Sequence, residues 1–120
     1  MKDPGTDLRY TGRVPGAVGL ITACHATYYH GHWGLDLSFE VQVATELSDF
    51  LGRFQPGRDG LWLAWSGNAF AGSVAVDGAG EEGGGRLRWF IVDPPFQGRG
   101  IGRSLLQRAV RFCEDAGHER

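Results

Sequence analysis

Apolar positions change their period several times along the chain, and each change marks an element. Val18, Ile21, Cys24, His25 and Tyr28 recur at helical spacing, which predicts a first helix over about 16–29, introduced by Pro15 and Gly16. The stretch DLRYT at 7–11 predicts a short edge strand before it. In YYHGHWG, Gly31 and Gly34 break the helical period. A second helix is predicted beyond them, with Phe39, Val43, Leu47, Phe50, Leu51 and Phe54 on one face, Ser38 as its N-cap and Glu40 complementing the dipole in its first turn.

Turn chemistry in QPGRDG, 55–60, then gives way to two strand-like runs, LWLAWS and AFAGSVAVD, joined as a hairpin at Gly67 and Asn68. GAGEEGGG reads as a connector. RLRWFIV follows as a third strand whose last four residues are all apolar, as a strand buried on both faces would be. Asp93, Pro94 and Pro95 end it. Ile101, Leu105, Leu106, Ala109, Val110 and Cys113 then define a last helix closed by Gly117. The order of strand, two helices, three-strand meander and helix predicts one α/β (α+β) domain over residues 1–120.

Composition narrows the function classes. With 120 residues and 42% apolar positions, the chain can build one core. Lysine and arginine total 12 against 14 acidic residues, a net charge of −2 that argues against nucleic acid as a partner. No apolar run approaches the roughly 20 residues of a membrane helix, and MKDPGTDLRY lacks the pattern of a signal peptide, so a cytoplasmic location without a membrane partner is expected. Cys24 and Cys113 fall on apolar helix faces, as buried thiols rather than a disulfide or metal ligands.

The densest chemistry lies in FQGRGIGRSL, 96–105, where Gly98, Gly100 and Gly102 precede the last helix. A helix start presents backbone N–H groups without intrahelical partners and the positive end of the macrodipole, and glycines let an anion approach them. Arg99 and Arg103 add positive charge. No Walker Gly-Lys-Ser/Thr triplet occurs, and a dinucleotide fingerprint starting at Gly98 and Gly100 meets Arg103 where its third glycine should stand. The pattern Gln/Arg-x-x-Gly-x-Gly/Ala is met at every fixed position by Gln97, Gly100 and Gly102.

That pattern, after a strand ending Val92-Asp93-Pro94, resembles the acetyl-coenzyme A loop of the GNAT superfamily of N-acetyltransferases. The resemblance covers nearly the whole chain. GHWGLDLSFE, RDGLWLA and LRWFIVDPPFQGRGIGRSLL look in particular like acetyltransferase domains associated with MarR-type regulators. It implies a GNAT-like mixed sheet, acetyl-coenzyme A as co-substrate, and transfer of acetyl to a primary amine by direct attack. It also implies that N–H groups from Gln97 through Gly98, Arg99, Gly100, Ile101 and Gly102, with Arg103 and Ser104, hold the pyrophosphate. Phe90, Ile91 and Val92 would pair with the pantetheine amides, and a backbone N–H there would polarise the thioester carbonyl.

An attacking amine needs to lose a proton first. Glu40, His30, His32 and Asp36 lie in the right region, and Glu40 is the candidate base, its alternative role being only to answer the helix dipole. Tyr28, Tyr29, His30, His32 and Trp33 form a cluster in the segment that borders the acceptor pocket in such proteins. A metal site at His30 and His32 would need a third ligand that the sequence does not place. Arg86 and Arg88 are expected to face solvent or an acidic group of the cofactor.

The family's usual C-terminal strands and helix have no counterpart before Arg120, which leaves RLRWFIV expected as an open apolar edge. A second copy or a second chain is the expected cover. The alternative to an enzyme is a non-catalytic module, a coenzyme A-binding or protein-interacting remnant.

Overall fold

Period-two alternation along the hairpin sorts its side chains onto two faces, and the helices divide between those faces. The computed structural model describes residues 8–80 and 84–118, so Asp7 of the first predicted strand and residues 81–83 of the connector lie outside the described residues. β1 (Leu8–Thr11), α1 (Ala17–Trp33), α2 (Leu37–Gly52), β2 (Gly60–Ser66), β3 (Ala69–Asp77), β4 (Arg86–Val92) and α3 (Ile101–Ala116) follow in that order, with a 3-10 turn at Pro94–Phe96 before α3. The four described strands form one sheet in the order β1-β2-β3-β4, antiparallel at each pairing.

Leu61, Leu63 and Ala75 face α1 and α2, where they pack with Ile21, Leu47 and Phe50. Ala64, Val74 and Val76 face α3, against Ile101, Leu105, Ala109 and Cys113. Ile21, Leu47, Phe50, Leu63 and Leu105 are wholly excluded from water, each side chain contributing roughly 1.5–3 kcal/mol of burial free energy. Both cysteines are buried thiols. Gly72 is fixed by packing: a Cβ there would stand 2.5 Å from the Ile91 carbonyl oxygen.

Four readings from the sequence are corrected. α1 continues through Gly31 to Trp33 and stops at Gly34, whose N–H closes on the His30 carbonyl. One interior glycine costs only about 1 kcal/mol, which a packed helix tolerates. The N-cap of α2 is Asp36 rather than Ser38; Ser38 lies inside the helix and donates its N–H to Asp36 Oδ1 at 3.0 Å. β4 is not buried on both faces: it is the terminal strand of the sheet among the described residues, and Phe90 is 42% exposed. Arg88 does not face solvent but bridges Glu46 at 2.7 Å and Asp77 at 3.3 Å, its guanidinium 4.1 Å from the Trp89 ring centre.

Charge is neutralised at this end of the sheet. Asp77 also accepts two bonds from Arg53, at 2.7 and 3.2 Å, which hold its carboxyl down at about 2. Buried Asp59 accepts from Arg58 and from the N–H groups of Gln55 and Gly78, tying the α2–β2 turn to the end of β3. Burial raises its affinity for a proton, but these bonds outweigh it and leave the carboxyl below its ordinary range.

Candidate functional site

α3 starts without a side-chain cap. The Ser104 N–H returns to the Gly100 carbonyl at 3.0 Å, and the Gln97 N–H is used inside the preceding turn, on the Pro94 carbonyl at 3.2 Å. Among the described residues, the N–H groups of Gly98 through Arg103 have no backbone or side-chain acceptor. Six adjacent donors at the positive end of a 16-residue helix form a ready anion cradle. Gly98 and Gly100 adopt φ of 81° and 80°, and a Cβ on either would meet no atom within 4 Å. Packing does not require their bareness. The left-handed backbone and the open approach to the donors do.

Contacts on both sides hold this loop in place. Gln97 Nε2 donates to the Val92 carbonyl at 3.1 Å, joining the loop to the end of β4. Ser104 Oγ and the Tyr10 hydroxyl share a hydrogen bond of 2.6 Å, and the Arg108 guanidinium lies 3.7 Å from the Tyr10 ring centre. On the other side, the Cys24 thiol of α1 points at Asp93 Oδ1, 3.7 Å away, while the Asp93 N–H is bound to the Ala71 carbonyl. Burial, with the Asp93 charge and that hydrogen bond, pushes the Cys24 thiol up to about 12.

β4 changes register beside the loop. Ser73 stands opposite Ile91 and Ala75 opposite Arg88, so Trp89 and Phe90 together oppose Val74 alone: a bulge on β4. Trp89 takes φ of 48°, the one non-glycine residue with positive φ among the described residues, and buried Ser73 donates its hydroxyl to the Trp89 carbonyl at 2.7 Å. The bulge splits the strand between the faces. Trp89 packs with α2, its ring 5.4 Å from that of Phe50. Phe90 reaches the α3 side, where its ring tip would be 3.9 Å from a Cβ at Gly102.

On the α1–α2 face a cavity of about 420 Å³ opens against β4, between His25 and Tyr29 of α1, Phe39 and Glu46 of α2, and Trp89 and Phe90 of β4. His25 is buried, and its Nδ1 lies 2.8 Å from the Ile21 carbonyl, an acceptor, so Nδ1 carries the proton in the neutral ring. Burial lowers its affinity for a second proton below the ordinary range.

The structure divides the predicted acceptor cluster. Tyr29 alone of the five lines the cavity against β4. Tyr28 stacks on His32 at 4.1 Å, and Trp33 is 72% exposed at the end of α1. His30 and His32 each bond a backbone carbonyl through Nδ1, Leu35 and Tyr28 respectively. His30, Asp36 and Glu40 border a separate groove of about 270 Å³ between α1 and α2. Ser73 and Tyr10 carry no motif in the sequence, and Asp93 reads there only as the end of the strand before the loop, because their partners lie 16 to 94 residues away. His25 was legible only as one position of an apolar helix face.

The fold is shared with solved acetyltransferases. One of the GNAT family from Staphylococcus aureus Mu50 superposes with a TM-score of 0.73 at 12% identity, over 92% of this chain and 68% of its own. One from Clostridium acetobutylicum, solved with acetyl-CoA, gives 0.71 at 13%, over 94% and 77%. One from Streptococcus agalactiae gives 0.69 at 14%, over 93% and 69%. A search of curated proteins found no match. The sequence model of the Acetyltransferase (GNAT) family matches residues 25–120, a span that contains the uncapped helix start, the β4 bulge and the cavity against it. The chain therefore belongs to the GNAT family of acetyltransferases.

Proposed function

We propose that the protein is an N-acetyltransferase that moves an acetyl group from acetyl-coenzyme A to a primary amine by direct attack. The observation that carries this reading is the run of N–H groups from Gly98 to Arg103 that have no acceptor among the described residues, set beyond the end of the bulged strand β4. Those donors fit a pyrophosphate, with Arg99 and Arg103 adding charge and Gln97 and Ser104 shaping the loop through their own bonds. Phe90, Ile91 and Val92 offer the free edge of β4 to the amides of the pantetheine arm. When bound, acetyl-coenzyme A supplies an acyl carbon made reactive by its thioester. A backbone N–H at the bulge would polarise the acyl carbonyl, a preorganised dipole that needs no reorganisation during reaction.

The acceptor would enter on the α1–α2 face, past Tyr29, with Tyr28, His30, His32 and Trp33 around the outer rim. Glu40, the candidate base from the sequence, borders the neighbouring groove and does not line the cavity against β4; its proposed part is to attract the cationic amine there. The likeness to domains associated with MarR-type regulators belongs to this reading and rests on the phrases at 31–40, 58–64 and 87–106.

A second reading has one observation in its favour. The outer edge of β4 has no strand beside it among the described residues and exposes Leu87 and Phe90, as an interaction module or the interface of a homodimer would. Calorimetry with acetyl-coenzyme A, run beside an assay of thiol release with a panel of amines, separates the two. Binding plus amine-dependent thiol release is the expected result. Binding without release under any amine supports the module, and no binding overturns the assignment of the loop.

A further inference from the structure

The cavity against β4 has a polar atom for which the fold gives no structural use. Nδ1 of His25 spends its proton on the Ile21 carbonyl, and a neutral ring then leaves a bare lone pair on Nε2. Nε2 makes no hydrogen bond among the described residues, and His25 is one of the residues that line the cavity. That wall continues through Trp89 and Phe90, the bulge at which β4 turns from the acceptor face to the α3 face.

We propose that His25 is the catalytic base of this transferase, taking a proton through Nε2 from the primary amine of an aromatic or apolar acceptor held in this cavity. The assignment rests on the transferase reading above and names its proton acceptor and substrate class. The ammonium of the acceptor gives one proton to Nε2, and the freed lone pair forms the N–C bond to the acyl carbon. The C–S bond breaks with its electron pair passing to sulfur, which takes the second amine proton, and the imidazolium releases its own to solvent.

The walls suit such an acceptor. Tyr29, Phe39 and Trp89 offer ring surface, and an amine moved into an apolar cavity loses its proton more readily than in water. Arg86 and Arg88 also border the cavity, and Glu46 is already bonded to Arg88 and to Gln42. Their summed charge at the rim is +1, which repels a polycation such as a polyamine. Burial holds His25 below its ordinary value of 6.5, so the ring is neutral and competent at neutral pH. Tyr29, Glu46, Arg86 and Arg88 are the other titratable groups lining this cavity, and Asp93 faces the adjacent Cys24.

The test uses 2-phenylethylamine and spermidine as acceptors with acetyl-coenzyme A, following thiol release from pH 5 to 9. The wild type is expected to prefer 2-phenylethylamine, with an acidic limb below pH 6.5. His25→Gln should lose about a hundredfold in kcat/KM and lose that limb, with acetyl-coenzyme A affinity unchanged, and added imidazole should restore part of the activity of His25→Ala. In the wild-type protein without cofactor, 2-phenylethylamine should shift the 15N resonance of His25 Nε2 and leave Nδ1 in place, a readout that needs no variant to fold. A His25→Gln enzyme within threefold of wild type with the same pH limb overturns this assignment alone, as does an unmoved Nε2 resonance. Preference for spermidine overturns the acceptor class. Absence of amine-dependent thiol release in the wild type overturns the transferase reading, and this assignment with it.

Discussion

Ser73 Oγ on β3 donates to the Trp89 carbonyl on β4 at 2.7 Å, and this one bond holds the point where β4 leaves its register. Trp89 sits at φ of 48°, a left-handed conformation that costs a bulky residue roughly 1–2 kcal/mol. The strain persists because the ring is packed on Phe50 and the carbonyl has a partner. The bulge is thus held by packing and by one hydrogen bond, where the cavity meets the strand that leads into the glycine loop.

Ser73→Ala leaves that carbonyl without its donor in a buried setting, at a cost of about 1–3 kcal/mol. Urea denaturation should show the loss. Amine-dependent acetyl transfer should fall further than stability alone explains, because the bulge carries the N–H proposed to polarise the acyl carbonyl. Unchanged stability would show that the bulge stands without this bond.

Gly100 and Gly102 should respond oppositely to a side chain. Gly100→Val forces a β-branched residue into φ of 80° and puts its methyls before the helix donors, so calorimetry should show loss of acetyl-coenzyme A binding. A Cβ at Gly102 would meet Val92 Cγ2 at 3.4 Å, an ordinary contact, so Gly102→Ala should retain it. Equal effects of the two changes would argue against the cradle.

The Asp77 carboxyl, held near 2 by Arg53 first and by Ala79 N–H and Arg88 in addition, sets an acid limit. A depressed carboxyl adds stability that is fully present above its unfolded value of about 4. That contribution is lost as pH falls through about 2. It should amount to about 1 kcal/mol, since Arg53 is 37% exposed and water screens the pair. Unfolding free energy measured between these limits should therefore fall more steeply for wild type than for Asp77→Asn.

Cys24, raised to about 12 and packed under Asp93, should resist alkylation. At pH 8 its thiolate fraction is on the order of a thousandfold below that of an ordinary cysteine. Iodoacetamide labelling followed by mass spectrometry should modify Cys24 in urea and leave it intact in the native protein. Asp93→Asn removes the nearby charge and should raise the native labelling rate; rapid labelling of the wild type would show that α1 does not stay closed over Asp93.

The amino-acid sequence by itself determined whatever is written locally. The hairpin at Gly67 and Asn68, the meander and the apolar face of α3 follow from period and turn chemistry, and the glycine loop from residues adjacent in the chain. Helix ends were legible less well: the i, i+2 bond from Ser38 to Asp36 and the cap at Gly34 moved both boundaries of the α1–α2 turn, because one glycine or one hydroxyl fits more than one capping position. Only the tertiary structure decided that Tyr29, not the whole run from Tyr28 to Trp33, shares a cavity with β4, and that Arg88 is spent on Glu46 and Asp77. The same holds for the bulge at Trp89 and the lone pair of His25. Each depends on a partner brought close by sheet register or helix packing, and the pairing of residues distant in the chain is a property of the packed core rather than of any stretch of sequence.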